Sequence, residues 1–408
     1  MTTTSPRPFT HAPGAGSGTL RHDPGFRLLL LAAAASRLGS SVGTLALPLV
    51  AVLALHASPG QVGLLAAAGS LAFVLIGLPA GAWVDRLRRR PVMIAADLLR
   101  AALLGSVPAA WALDLLTIHQ LYAVALLTGA ATVFFDIAAQ SHLPDLVGRD
   151  RIGEANSRLT TLDAVARIGG RSAGGFLVAL LSAPVAVLLD AASHLVSAAC
   201  LLRIRRAEPA AAAAGPGRLG AEIREGLRFV LGHSSLRAVA LSGACGNLSV
   251  QLCQTVLPVL FVRELGLSSG AIGLFFATGG VGALLGSLAA RPIARRIGAG
   301  RTLCAAGLAV APFGTLVALV DRGPALWLAA GGWLITTFKV GVDNVIKVSY
   351  RQSVTPERLL GRMNATMRLL LTGALAAGAA LAGLLGELLS TRAALSVGAL
   401  GLALAWVP

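Results

Sequence analysis

Charge is scarce in this 408-residue chain: 13% of residues are charged, and only 18 are acidic against 34 basic. A soluble globular protein carries about 25% charged residues. The two soluble domains that this length could hold are therefore excluded. Cysteine is also rare. Cys200, Cys245, Cys253 and Cys304 fall within or at the edge of apolar stretches, and none pairs at metal-ligand spacing. They read as small buried hydrophobes, and no metal or other cofactor is expected. No cleavable signal peptide is visible. Residues 1–25, rich in Pro, Gly and Thr, read as a disordered cytoplasmic tail.

What fills the chain is apolar: 55% of residues are hydrophobic and 48 are glycine. Twelve apolar runs are distinguishable, at 27–55, 60–82, 91–113, 119–140, 156–180, 184–202, 236–262, 270–290, 299–320, 324–348, 363–388 and 391–408. A helix of about 20 apolar residues crosses a bilayer, so an all-α polytopic membrane protein with twelve transmembrane helices is expected. The many small residues suit close helix packing in lipid.

The stretch from Gly81 to Arg90 is the most informative. It joins two apolar runs and carries Asp85, Arg86, Arg88, Arg89 and Arg90. Such a hairpin stays on the cytoplasmic side. The net charge of +16 would suggest a nucleic-acid partner in a soluble protein, but its distribution argues otherwise. Even-numbered connections hold the hairpin arginines, Arg149, Arg151 and Arg158, the arginines from Arg203 to Arg237, Arg291, Arg295, Arg296 and Arg301, and the cations from Lys347 to Arg368. Odd-numbered connections hold only Arg263, Arg322 and Arg392. Both termini are thus expected in the cytoplasm, with the lipid bilayer as the protein's surroundings and no nucleic-acid partner.

A degraded copy of the hairpin, GSLAARPIARR, begins at Gly286, 205 residues later. Leu47-Pro48 answers Leu257-Pro258, Asp150-Arg151 answers Glu357-Arg358, and Asn156 answers Asn364 at similar offsets. Residues 203–235 break the apolar rhythm with a basic cluster, a Pro- and Ala-rich stretch and a short amphipathic piece over 221–230. The expected organisation is a six-helix bundle over 26–202, a cytoplasmic linker over 203–235 and a second bundle over 236–408. An even number of helices per half makes the repeats parallel. Substrate is then expected near the midplane, between halves that rock against each other.

The hairpin at 81–90 resembles the loop signature of the major facilitator superfamily: a glycine, then Asp-Arg, then a basic cluster. The runs LPDLVGRDRIGEANSR (143–158) and RQSVTPERLLGRMNATMR (351–368) look like its drug-exporter branch, which includes macrolide and siderophore exporters. The resemblance covers about residues 26–408. It implies the twelve-helix major facilitator fold, alternating access, and export of a small-molecule substrate coupled to protons, with the proton gradient as energy source. By the same resemblance Asp85 would meet the positive N-terminal end of the eleventh span and lock the outward-facing state. A carboxylate gains about 0.3–1 kcal/mol at a helix N-terminus. Gly81, Arg86, Arg89 and Arg90 complete this gating motif, the arginines pairing with acids at neighbouring helix ends. In the second copy Ala290 replaces the acid, leaving Arg291 and Arg295 as a weaker latch.

The fifth span, at Gly170, Arg171, Gly174 and Gly175, is similar to the superfamily's antiporter motif. Ala166 stands for a glycine there and Arg171 for the proline. The same stretch matches a serine-hydrolase elbow around Ser172, but that motif needs a strand, a turn and a helix. Likewise Gly280 and Gly282 lack the context of a dinucleotide fingerprint and read as a packing face.

Ionisable residues inside spans are costly and usually functional. Arg37, about 15 Å into the first span at 1.5 Å per residue, should face the central cavity or a partner acid. Asp163 and Arg167 are spaced to pair on one helix face, and Arg171 needs a partner elsewhere. Asp136 and Asp343 occupy equivalent places toward the cytoplasmic ends of the fourth and tenth spans. Lys339 and Lys347 flank Asp343 one turn either side, so that carboxylate should stay ionised and favours a salt-bridge latch over proton carriage. Asp190 and His194 share a face of the sixth span; an imidazole there could titrate near neutral pH, although a satisfied buried histidine is the plainer reading.

The fourth span lacks the buried arginine of many proton antiporters, and the first lacks the acid of several multidrug exporters, so no proton carrier is assigned from sequence. Asn247, Gln251 and Gln254 of the seventh span are polar cavity candidates. With few charges, the cavity should suit a hydrophobic or amphipathic molecule handled by a monomer. An importer or a siderophore exporter of the same fold is the alternative, and a membrane hydrolase using Ser172 a remote one. Asp85→Asn is expected to reduce transport without loss of membrane insertion; unchanged transport by that variant would remove the gating role.

Overall fold

The computed structural model describes residues 20, 23–84, 86–205 and 219–407. Thirteen α-helices account for nearly all of them, and no strand occurs among the described residues. The first six are α1 (Pro24–Leu53), α2 (Pro59–Val84), α3 (Arg89–Ala112), α4 (Ile118–Val147), α5 (Ile152–Leu181) and α6 (Ala183–Leu202). A short α7 (Leu219–Gly232) follows. Then come α8 (Ser234–Val259), α9 (Ser269–Ile297), α10 (Ala299–Leu316), α11 (Pro324–Val354), α12 (Glu357–Leu388) and α13 (Thr391–Leu404). In lipid every backbone N–H and C=O needs an internal partner, which helices provide and loops do not. The loops are accordingly short, and several helix N-termini carry side-chain caps. Asp23 accepts from the amides of Gly25 and Phe26 at 2.9 and 3.1 Å. Thr117, Ser268 and Ser390 cap α4, α9 and α13 in the same way. Gly148 and Gly298, at φ 81° and 87°, end α4 and α9 in the left-handed conformation that glycine adopts without strain.

Ten helices are long and apolar enough to cross a membrane among the described residues. Two of the expected spans stand apart. α5 is 30 residues long but carries Glu154, Arg158, Asp163, Arg167 and Arg171. α13 is apolar but only 14 residues. Several helices also outrun their apolar stretches. α5 begins at Ile152 rather than 156, where Arg158 bonds Glu154 one turn back at 2.6 Å. α12 begins at Glu357 rather than 363. Polar residues at helical spacing extend a helix past the membrane core as readily as apolar ones do.

The two sets of six helices pack alike. In the first, α1 lies against α5 and α6, α4 against α2 and α3, and α3 against α6. In the second, α8 lies against α12 and α13, α11 against α9 and α10, and α10 against α13. The same map recurring in the same chain direction is the parallel repeat. α7 presents Val230 to an apolar cluster with Leu236, Ala240, Met363 and Met367, and its Glu225 pairs with Arg362.

One end of the bundle carries the basic hairpins and α7; we call it the basic end. At the opposite, far end a single apolar core runs through both halves, joining Leu49, Val50 and Val52 to Leu257, Phe261, Phe275 and Trp333. At the basic end the core divides into separate clusters, one in the first half around Phe26, Met93 and Phe135, and others in the second. The outer surface exposes large apolar side chains such as Leu31, Leu75, Leu180, Leu308 and Leu388, a belt suited to lipid.

Two seams close the far end: α2 against α12, and α5 against α9. Both are glycine contacts. A Cβ on Gly63 would lie 2.4 Å from the Cα of Gly383, and one on Gly175 would lie 2.3 Å from the Cα of Gly273. The Glu387 carboxylate accepts from the amide of Gly60 across the first seam at 3.0 Å, and Arg263 donates to the carbonyl of His56 at 2.5 Å. Gly63→Leu has no room and should force the far end apart. In a background lacking the native cysteines, a Ser58→Cys/Glu387→Cys pair should then cross-link about tenfold less, a shift of roughly 1.4 kcal/mol; an unchanged yield would show that the seam does not hold the closure.

Candidate functional site

Between the halves, beneath the sealed far end, lies a cavity of about 520 Å³. That is within the range of drug-sized ligand pockets. Leu45, Pro48, Leu65, Phe73, Val133, Pro258 and Phe276 supply much of its wall. Its polar groups are hydroxyls and amides, including Ser40, Thr44, Gln251 and Gln254, and four ionisable residues: Asp136, Asp190, His194 and Arg368.

Within the cavity Arg368 crosses between the halves. From α12 its guanidinium reaches Asp136 of α4 at 3.3 Å and lies 4.4 Å above the Phe73 ring of α2. Both partners are more than a third open to solvent, or nearly so, so the pair contributes orientation more than stability. By sequence Arg368 counts only among the cations of the even-numbered connections. It lies about 16 Å from the start of α12 at 1.5 Å per residue, against about 20 Å for Arg37 from the start of α1, so its position inside a span was the available signal.

Behind the first-half wall is a buried polar cluster. Asp97 and Arg100 of α3, 0% and 3% exposed, pair at 2.5 Å. Asp97 also accepts from the Ser197 hydroxyl at 2.6 Å and meets His194 Nδ1 at 3.2 Å. His194 Nε2 faces Asp190 Oδ1 at 3.4 Å. Arg100 stacks over Phe135 at 4.5 Å. Asp97 and Arg100 were absent from the expected site. Their i, i+3 spacing inside an apolar run was the available signal.

Arg37 does not face the central cavity. It pairs with Asp163 of α5, both lining a separate pocket of about 440 Å³ within the first half that also touches Asp136. Asp163 therefore has a partner on α1 rather than its expected neighbour alone. The side chains of Arg167, Arg171 and Ser172 lie outside what is described, as does Asp85 entirely. The glycines of α5 pack: Gly170 against Ser41, Gly174 against Val42, and Gly175 across the far-end seam. α5 runs as unbroken helix through them, without the strand and turn of a nucleophile elbow.

At the basic hairpin Arg89 bonds Asp145 at the end of α4 at 2.6 Å, an acid as expected. Arg90 donates to the carbonyls of Leu201 and Leu202 at 2.8 and 2.6 Å. The free carbonyls of a helix C-terminus attract cations as a carboxylate does. Arg86 is exposed, and open space surrounds Gly81. Arg291 and Arg295 make no ion pair among the described residues.

In the second half, Lys339 and Lys347 hold Asp343 at 2.6 and 3.1 Å, and Lys347 also donates to Ser242 at 2.8 Å. This triad lies in a pocket of about 270 Å³ inside the second half, away from the central cavity. Asn247 lies there too. It corrects one expectation: of the three polar residues on α8, Gln251 and Gln254 line the central cavity, whereas Asn247 turns to α12 and donates to the Leu371 carbonyl at 3.0 Å. A buried amide goes where a free backbone acceptor is.

Known proteins agree with this architecture. The family described as "Transmembrane secretion effector" matches residues 17–407. The chain is 27% identical over 369 residues to the multidrug efflux pump Tap of Mycolicibacterium fortuitum, covering 88% of each. It is 25% identical over 389 residues to the enterobactin exporter EntS of Salmonella typhimurium, covering 94% of this chain and 91% of that one. Among solved structures, a bacterial homologue of the iron transporter ferroportin in its inward-facing state superposes with a TM-score of 0.75 at 19% identity, over 96% of this chain and 98% of the other. The duplicated six-helix packing, the cavity between the halves and the match along nearly the whole length make this chain a member of the transmembrane secretion effector family of major facilitator superfamily transporters.

Proposed function

We propose that this protein exports a hydrophobic or amphipathic small molecule by alternating access, driven by the proton gradient. The observation that carries the reading is the central cavity: apolar, walled by both halves, sealed by a continuous core at the far end and divided at the basic end. Arginine-rich loops stay cytoplasmic, so the basic end faces the cytoplasm and the cavity loads from inside a bacterial plasma membrane. Both termini then lie in the cytoplasm. The moving bodies are residues 26–202 and 236–408, joined by 203–235, and a single chain is the working unit. Likeness to Tap and EntS, both named for export, supports the direction. The EntS likeness also supports a second reading, in which the cargo is a siderophore.

Asp136 and Arg368 act as the latch between halves, since theirs is an ion pair across the cavity and it must break when one half rotates. Lys339–Asp343–Lys347, confined to one helix, holds α11 against α8.

Expression in a pump-deficient bacterial host should lower cell-associated ethidium, and a protonophore should abolish the difference. Raised uptake would reverse the direction. Asp136→Ala and Arg368→Ala should each slow that efflux several-fold, and the double variant should be no worse than either. Strictly additive losses would mean that the two act separately.

A further inference from the structure

The proton-driven reading needs a place for the proton, and the buried cluster behind the first-half wall supplies one. We propose that Asp190 and His194 form a proton-binding site, loaded from the central cavity and backed by the Asp97–Arg100 pair. This assignment rests on the exporter reading but is tested apart from it.

Charge accounting carries the argument. Asp97 has Arg100 at 2.5 Å and the Ser197 hydroxyl at 2.6 Å, so it is compensated and hydrogen-bonded. Asp136 has Arg368, and Asp163 has Arg37. Asp190 has no cation of its own among the described residues. It is 4% exposed, and its Oδ1 makes no hydrogen bond of good geometry, with His194 Nε2 3.4 Å away. With a neutral imidazole the cluster of Asp97, Arg100, Asp190 and His194 carries one net negative charge. An uncompensated buried charge is costly and ordinarily takes up a proton. One proton on the Asp190–His194 pair makes the whole cluster neutral.

Position suits the role. Asp190 and His194 both line the cavity, so a proton reaches them from water there. Behind them His194 Nδ1 faces Asp97 Oδ1 at 3.2 Å and the Ser36 hydroxyl at 3.4 Å, so an imidazolium would sit between two carboxylates. The described neighbours on the packed elements are these. α3 contributes Asp97 and Arg100. α1 contributes Ser36 and two glycines, Gly39 and Gly43. α4 contributes Asp136 beyond Arg100. On α5 the side chains of Arg167 and Arg171 lie outside what is described. Gly43 makes room for the carboxylate, since a Cβ there would lie 2.0 Å from Asp190 Oδ2; a Cβ on Gly39 would lie 1.9 Å from Ser193 Oγ and 2.9 Å from Asp190 Oδ1.

The site couples to transport through solvent. While the cavity is wet, water screens the net charge. When the halves close over it, that screening is lost, and only the proton-loaded, neutral cluster closes without a large electrostatic cost. Closure of the empty carrier then requires one bound proton.

The experiment counts protons on the purified chain in lipid nanodiscs without any substrate. Proton uptake is titrated from about pH 8 to pH 5, the window in which imidazole and perturbed carboxylates titrate, and the carboxyl C=O infrared band is followed in parallel. Asp190→Asn should take up one proton fewer per chain and lose one protonated-carboxyl band. An unchanged count and spectrum in a variant that elutes and melts like the parent would overturn the assignment. Should Asp190→Asn fail to fold, His194→Gln keeps the acid and should move the midpoint of its band by about one pH unit or more; an unmoved midpoint would overturn the proposal equally. Ethidium efflux that ignores a protonophore would strike the exporter reading instead, whatever the proton count.

Discussion

A charge in the interior of a bilayer has to be neutralised on the spot, and that constraint organises this molecule. Among the described residues most deep ionisable side chains have an oppositely charged partner on a neighbouring helix or one turn away, Asp190 being an exception. Arg37 meets Asp163, Arg100 meets Asp97, Arg368 meets Asp136, and Asp343 is held between two lysines. These pairs contribute little net stability, because desolvating two ions offsets most of their attraction. Their effect is on arrangement. Each one specifies which helix faces which, in a protein whose remaining contacts are among interchangeable Leu, Val, Ala and Gly.

The halves use this device differently. The first buries acids: Asp97 and Asp190 sit near the central cavity with one arginine between them. The second buries bases, Lys339 and Lys347, around a single acid in a pocket of its own. A duplicated scaffold has thus kept one packing map and acquired two electrostatic characters. Arg368 is where they meet, reaching from the basic half into the acidic one.

Much of the fold was legible because lipid leaves few options. Apolar runs of bilayer length, broken by arginine-rich hairpins, admit helices and little else, and the echo of Gly81–Arg90 at Gly286–Arg296 announces the repeat. The site was less legible. Lys339, Asp343 and Lys347 could be grouped because they lie on one helix at i, i+4, as could Asp190 and His194. Arg37 with Asp163, and Arg368 with Asp136, join residues more than 120 positions apart, and no spacing rule links them. Asp97 with Arg100 lay within reach of such a rule, but their bond to His194 depends on how α3 meets α6. The direction of the Asn247 side chain depends likewise on a carbonyl of α12.

The glycine seams at the far end bear on speed. Where α2 meets α12 and α5 meets α9, backbone lies on backbone at Gly63–Gly383 and at Gly175–Gly273. At those two glycine contacts the surfaces part like smooth plates: no rotamer has to turn there and no side chain has to be withdrawn. The barrier to opening there is set by lost contact area and a few polar ties such as Glu387 with Gly60, so the pivot is built for frequent, low-friction reversal.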